Sequence, residues 1–266
     1  MLERFDKPLP AWSHDMDRHH DAARLLLSAR RDPTQKLHSL PEAMRPRTEE
    51  QATLVQRAVM AELGGIGGWK VGSPSPTGPF TCAPLPAAGI GDSPGHVSTE
   101  HCTDGGVEAE IAVRLARDLP PRDAAYGEEE VMAAIASAHP AIEVLQSRFV
   151  DADRVDPLSA LADSLGHFGL VVGPVVAEWR SVDWAAEQVA LVVNGQEMKR
   201  RTGNPGGGMP RLLAWLANHG SRWAGGLRAG QVVTTGSWTG KDFVPPGAEV
   251  RISFDHAGDA ALRFSP

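Results

Sequence analysis

The chain has 266 residues and a formal charge of −7, with 33 acidic residues against 26 Lys and Arg. That length can bury a sizeable core and suits one large domain, or one domain with an appendage. The acidic balance argues against a binder of nucleic-acid phosphates. The two cysteines, Cys82 and Cys102, exclude a dense disulfide framework and any Cys-x-x-Cys metal spacing.

The opening residues, MLERFDKPLPAWSHDMDRHH, lack the apolar stretch of a signal peptide. The longest apolar run, FGLVVGPVVA, is too short and too interrupted by Gly and Pro to cross a bilayer. A cytoplasmic protein with no membrane or nucleic-acid partner is expected. DAARLLLSARR predicts a short helix within residues 16–31, and the nearby His14, His19 and His20 read as part of a polar N-terminal stretch.

RTEEQATLVQRAVMAEL predicts a second helix. Thr48 and Gln51 have capping-box spacing, and Val55, Ala58 and Val59 form an apolar stripe. GGIGGWKVG ends it and opens an extended segment carrying Lys70, and SPSPTGPFTCAPLPAAGIGDSPG reads as a Pro/Gly-rich loop. VEAEIAV (107–113) reads as a strand, EEEVMAAIASAHP as a helix stopped near Pro140, and AIEVLQSRF as the next strand. DPLSALADSLG predicts a short helix feeding the buried strand FGLVVG. Asn194-Gly195 marks a type I′ hairpin, after which Lys199-Arg200-Arg201 reads as a solvated edge. PRLLAWLANHG is an amphipathic helix, LRAGQVVTTGSWTG a turn, strand and polar loop, and AEVRISFDHAGDAALRF a closing hairpin. Helices in front and many strands behind predict an α+β fold with a mixed sheet rolled into a barrel-like form. A loose boundary near residue 47 separates an N-terminal helical segment (1–47) from a catalytic domain (48–266).

VEAEIAV carries the chemical question. Successive side chains of a strand point to opposite faces, so Glu108 and Glu110 share one face while Val107, Ala109, Ile111 and Val113 occupy the other. One reading is a strand with a solvated outer face. In AIEVLQSRF, Glu143 points away from Ile142 and Val144. If the two strands are neighbours, three carboxylates converge. Oxygen donors without His or Cys suit a hard divalent cation such as Mg²⁺ or Mn²⁺.

The ordered set GGWKVG, VEAEIAV, AIEVLQSRF, ADSLGHFGLVVG, LVVNGQEM, PRLLAWLANHG and LRAGQVVTTGSWTG, from about Thr48 to Gly240, resembles one branch of the fumarylacetoacetate hydrolase superfamily, the 2-keto-4-pentenoate hydratases and 4-oxalocrotonate decarboxylases. The resemblance implies a mixed sheet rolled into a barrel, preceded by helices. It implies that Glu108, Glu110 and Glu143 ligate the metal, that Lys70 faces the same pocket as the catalytic residue, and that Asp163 and Ser164 line that pocket. Thr235, Gly236 and Ser237 follow a strand, where they can hold a substrate carboxylate; a plain turn explains them nearly as well. The expected partner is a small 2-oxo acid, in a homo-oligomer that can associate with a pathway partner enzyme.

Two positions depart from the family pattern. Gln146 stands where Asp is common, although Ser147 and Arg148 remain, and His167 replaces a small or hydroxylated residue. His167 reads either as an additional acid/base or as a structural group. The leading expectation is a metal-dependent hydratase acting on a 2-hydroxydienoate or 2-oxo acid from aromatic catabolism. A 4-oxalocrotonate-type decarboxylase, a C–C hydrolase and a catalytically idle binding protein are the alternatives. A hydrolase needs a base such as a His–Glu pair, and His14, His19, His20 and His38 form no such motif.

Overall fold

Where each segment goes follows from its apolar period and its caps. The computed structural model describes residues 11–266; the opening MLERFDKPLP and the side chain of His14 lie outside the described residues. Helices α1 (Ala11–Arg31) and α2 (Glu49–Glu62) come first. Thr48 caps α2 by accepting from the Gln51 N–H, while the Gln51 side chain turns back to the N–H of Arg47. Four strands follow: β1 (Ile66–Gly72), β2 (Thr81–Pro86), β3 (Ile90–Asp92) and β4 (Gly95–Ser98). Next are β5 (Gly106–Leu115), α3 (Glu128–Met132), β6 (Ile135–Leu145), α4 (Pro157–Ala162) and β7 (His167–Val172). The hairpin β8 (Gln188–Val193) and β9 (Gln196–Thr202) turns on Asn194 and Gly195, both at positive φ. Then α5 (Met209–Trp215) runs into a π turn over Leu216–Gly220. The chain closes with β10 (Val232–Thr234), β11 (Asp242–Phe243), β12 (Glu249–Phe254) and β13 (Gly258–Ser265).

The fold is α+β with two mixed sheets. One runs β2-β1-β10-β5-β6-β7-β3, with β11 also on β5, and the other runs β4-β13-β12-β8-β9. Among the described residues no pairing closes either sheet into a ring. The apolar face of β5 packs with the inner face of the second sheet: Val107, Ile111, Leu191, Ile252 and Phe264 belong to one buried core. Helices α1 and α2 share a smaller core with Phe149 and Ala162. No described helix is long and apolar enough to cross a membrane.

Two sequence expectations are corrected. The helix expected through Pro140 ends at Met132, and IASAHP belongs to β6. Pro140 is tolerated there because its carbonyl accepts from Gly173, one step beyond the last β6–β7 pair, Ala141↔Val172. Its missing N–H points the same way, so no bond to β5 is lost. The Pro/Gly-rich loop also contains two strands, β2 and β3, and ends on the first residue of β4. β2 keeps Pro84 and Pro86 because it lies at the edge of its sheet.

Candidate metal centre

β5 and β6 are antiparallel neighbours, and their register sets Glu108 directly opposite Glu143, with Glu110 opposite Ala141 and so diagonal to Glu143. Opposite side chains on one face stand about 5 Å apart and diagonal ones remain within reach. Oxygens of Glu108, Glu110 and Glu143 accordingly lie within 4.8 Å of one another. Glu110 is 1% exposed, which overturns the solvated-face reading there, and Glu143 is 0% exposed.

Lys70 arrives from the far side of the sheet. Lys70 aligns through Thr234 and Ala112 with His139, four residues before Glu143, so a flat sheet would hold the Cα atoms of Lys70 and Glu143 about 20 Å apart, beyond the reach of the two side chains. The Lys70 Nζ instead donates to Glu143 Oε1 at 2.6 Å. The sheet is therefore curled, concave on the carboxylate side. Trp69, the neighbour of Lys70, points to the opposite face and is fully buried in the main core, which fixes the side on which Lys70 emerges.

Electrostatics inside the concavity divide the carboxylates. Burial and the Glu143 charge raise Glu108 to about 7, against the opposing pull of Lys70 and Lys241. Burial, Glu143 and Glu108 hold Glu110 well above the usual carboxylate range. For Glu143 burial also opposes ionisation, yet Lys70 and His167 outweigh it and bring the group down to about 2. Burial would lower Lys70, but Glu143, Glu108 and Glu110 together hold its ammonium above the ordinary lysine value. Burial lowers His167 to about 4, despite its hydrogen bond to Glu143.

A divalent cation fits these residues. Glu143 Oε1 accepts from Lys70 at 2.6 Å and faces His167 Nδ1 at 2.9 Å, while its Oε2 is buried without a hydrogen-bond partner. A buried carboxylate oxygen left without a partner is costly. Three carboxylates against one ammonium leave two negative charges, which a dication balances. The all-oxygen donor set suits Mg²⁺ or Mn²⁺.

The TTGSWTG loop is laced to the edge of β5. Thr235 turns away from the carboxylates, its hydroxyl donating to the Ile111 carbonyl at 2.8 Å. Gly236 donates its N–H to Glu110 Oε2 at 3.1 Å, and the Ser237 hydroxyl favours the ionised form of Glu108. Gly236 has φ +87°, and a Cβ there would meet Gly72 Cα at 3.2 Å, so only glycine suits the position. Lys199 holds the far end of the loop, donating to the Thr239 carbonyl at 3.1 Å and to both Asp242 oxygens.

Asp163 and Ser164 lie on the turn that precedes β7, and Asp163 also lines the cavity described below. Arg148 and Asp163, each 4% exposed, form a buried ion pair, and Arg148 also donates to the carbonyls of Asp163, Gln146 and His167. Between Asp163 and His167 the chain takes three consecutive left-handed residues, Ser164 (φ 50°), Leu165 (φ 56°) and Gly166 (φ 78°). Such a conformation costs about 1–2 kcal/mol at a non-glycine residue. Arg148 ties both ends of the turn and holds it in place. Arg148→Ala should destabilise the protein by about 3–5 kcal/mol, because the Asp163 carboxylate would remain buried and unpaired. Urea unfolding of the metal-free protein measures this, and a loss under about 1 kcal/mol, the worth of an exposed pair, would contradict it.

A cavity of about 140 Å³ has Leu145, Phe149, Val155, Leu165, Lys241 and Phe243 in its wall; none of the three glutamates lines it. Leu145 lies two residues beyond Glu143 and pairs with Gly106, so it continues the same face. Lys241 and the Lys199–Asp242 tie were missed at the sequence level. The position of Lys241, directly after TTGSWTG, is the signal that could have found it.

Residues 75–265 match the model of the fumarylacetoacetate (FAA) hydrolase C-terminal family. A 2-keto-4-pentenoate hydratase of Burkholderia vietnamiensis is 36% identical over 132 residues, 49% of this chain and 49% of that protein. A 4-oxalocrotonate decarboxylase of Pseudomonas putida is 28% identical over 159 residues, 59% of each. The chain thus spans about half the length of the curated relatives it matches. Among solved structures, the 4-oxalocrotonate decarboxylase of Pseudomonas putida G7, complexed with magnesium and adipate, superposes with a TM-score of 0.80 at 22% identity, covering 97% of this chain and 100% of that one. At that identity the superposition shows a shared fold. With its family match running through most of the chain, this protein belongs to the fumarylacetoacetate hydrolase family.

Proposed function

We propose that this protein is a divalent-metal-dependent lyase that hydrates a 2-hydroxydienoate, recognising the 2-oxo acid head of its substrate at the carboxylate cluster. The observation that carries the reading is the buried, unpartnered Oε2 of Glu143 amid Glu108 and Glu110. The names of the relatives support it: the hydratase relative is the more similar one, at 36% against 28%. Glu108, Glu110 and Glu143 would hold Mg²⁺ or Mn²⁺. A cation bound there supplies Lewis acidity toward the oxygens of a 2-oxo carboxylate.

The remaining work falls to the chain. With its pKa raised, Lys70 is an ammonium at neutral pH, so it acts as a proton donor and as a fixed positive charge on a developing oxyanion. Gly236 N–H orients Glu110, and Ser237 favours the charged form of Glu108. The apolar wall of Leu145, Phe149, Val155 and Leu165 would take the substrate tail and exclude water from it. Overall, one water is added to the conjugated acid and nothing leaves. Lys241, an exposed ammonium in that wall beside Glu108, favours a second reading, in which a 2-oxo diacid loses CO₂. The rolling of the two sheets into a barrel-like form belongs to the same reading, supported by the curl that brings Lys70 to Glu143.

Calorimetry tests the head-group reading. Oxalate and pyruvate should bind in the presence of Mn²⁺ and bind poorly without it, because three anionic ligands balance the cation's charge without filling its octahedral coordination. Oxalate binding of equal strength in both cases would refute it. With Mg²⁺ present, loss of diene absorbance without CO₂ release marks the hydratase; CO₂ release marks the decarboxylase.

A further inference from the structure

We infer that His167 is a positioning residue for the cation: its Nδ1–H and the Lys70 ammonium together occupy one oxygen of Glu143 and so commit the other oxygen to the metal. This rests on the metal site proposed above. The geometry is specific. Both donors meet the same atom, Oε1, at 2.6 and 2.9 Å, and Oε2 is left buried without a partner. An ionised carboxylate only accepts hydrogen bonds, so the His167 Nδ1 must carry the proton in this contact. The terminal torsion of a glutamate side chain is broad and weakly staggered. Without a second donor from the β7 side, nothing would stop the carboxylate rotating both oxygens toward Lys70.

The imidazole is placed firmly enough for this role. His167 opens β7 and pairs with Leu145 across from β6. Its carbonyl accepts from Arg148 at 2.7 Å and from Arg30 at 3.1 Å, and its side chain is 1% exposed. The second ring nitrogen, Nε2, is buried without a partner. The ring therefore makes one polar contact, and that contact is to Glu143. A histidine kept only for packing would have no reason to direct its single hydrogen bond at this carboxylate, since an apolar ring would fill the space without an unpaired nitrogen.

Calorimetric titration of Mn²⁺ into the wild type, His167→Asn and His167→Leu tests the assignment. Asparagine can place an amide N–H where Nδ1–H stands; leucine cannot. His167→Leu should bind Mn²⁺ about 10–100-fold more weakly than the wild type, the usual cost of losing a partner of a metal ligand, and His167→Asn should recover most of that loss. Wild-type affinity in the folded leucine variant, with only its metal-free melting temperature lowered, would show a structural role and overturn the inference. Equal weakening in both variants would overturn it too. Should the leucine variant fail to fold, nitrogen chemical shifts of the His167 ring in the wild-type Mg²⁺ form decide the matter. A protonated Nδ1 with a bare Nε2 supports the inference, and the opposite tautomer overturns it. If the wild type itself fails to bind Mn²⁺, the metal site falls and this inference with it; if only the His167 results fail, the site stands.

Discussion

Glu110→Gln is expected to abolish metal-dependent activity while making the metal-free protein more stable. Gln keeps the volume, and its amide oxygen can still accept from the Gly236 N–H that now meets Glu110 at 3.1 Å. It removes a charge that burial, Glu143 and Glu108 all disfavour. Because the folded-state pKa of Glu110 lies above its unfolded value, the folded protein retains a proton that the unfolded chain releases. Its contribution to stability therefore falls as the pH rises above the ordinary carboxylate range. The variant escapes that penalty. Its melting temperature without metal should exceed the wild type's at pH 8, and the difference should shrink as the pH falls toward 4.5, the ordinary glutamate value. Mn²⁺ should raise the wild-type melting temperature and leave the variant's unchanged. The variant should bind Mn²⁺ more than about 100-fold more weakly, beyond what the loss of a supporting contact costs. A variant that binds Mn²⁺ normally would remove Glu110 from the site.

Lys70→Ala should lower turnover by on the order of 10²-fold or more, a typical contribution of general acid catalysis. The ammonium is no ligand, and Glu143 would keep His167 on Oε1, so Mn²⁺ affinity should change far less than in Glu110→Gln. The two variants therefore separate binding from chemistry: one loses the metal, the other retains it and turns over slowly. Near-normal turnover in Lys70→Ala, measured at saturating Mg²⁺, would exclude Lys70 from the mechanism.

How far the site could be read in advance follows from the range of the forces involved. The face shared by Glu108 and Glu110, and the outward turn of Glu143, are legible because side chains alternate along a strand whatever its neighbours. Their convergence is not, since it depends on the register Glu108↔Glu143, fixed by contacts 35 positions apart in the chain. The Thr48 cap is legible because both partners lie within one turn. MAAIASAHP misleads because Ala-rich segments favour helix locally, while pairing with β5 makes most of it strand. Pro84 and Pro86 hide a strand that only an edge position permits. The aim of His167 is the least legible feature, since it follows from a left-handed turn at two residues, Ser164 and Leu165, that seldom adopt one.

That turn has a consequence for anyone redesigning the protein. Leu165 and Gly166 form part of the wall of the 140 Å³ cavity, and the next residue in the chain is His167, in contact with Glu143. A library that randomises this wall to accept a bulkier tail would shift the support of Glu143 in the same stroke. Variants selected there should trade substrate range against metal retention. Val155 and Phe243 line the same cavity from other segments and touch none of the three carboxylates through a hydrogen bond or ion pair, so they are positions at which tail preference can be changed alone.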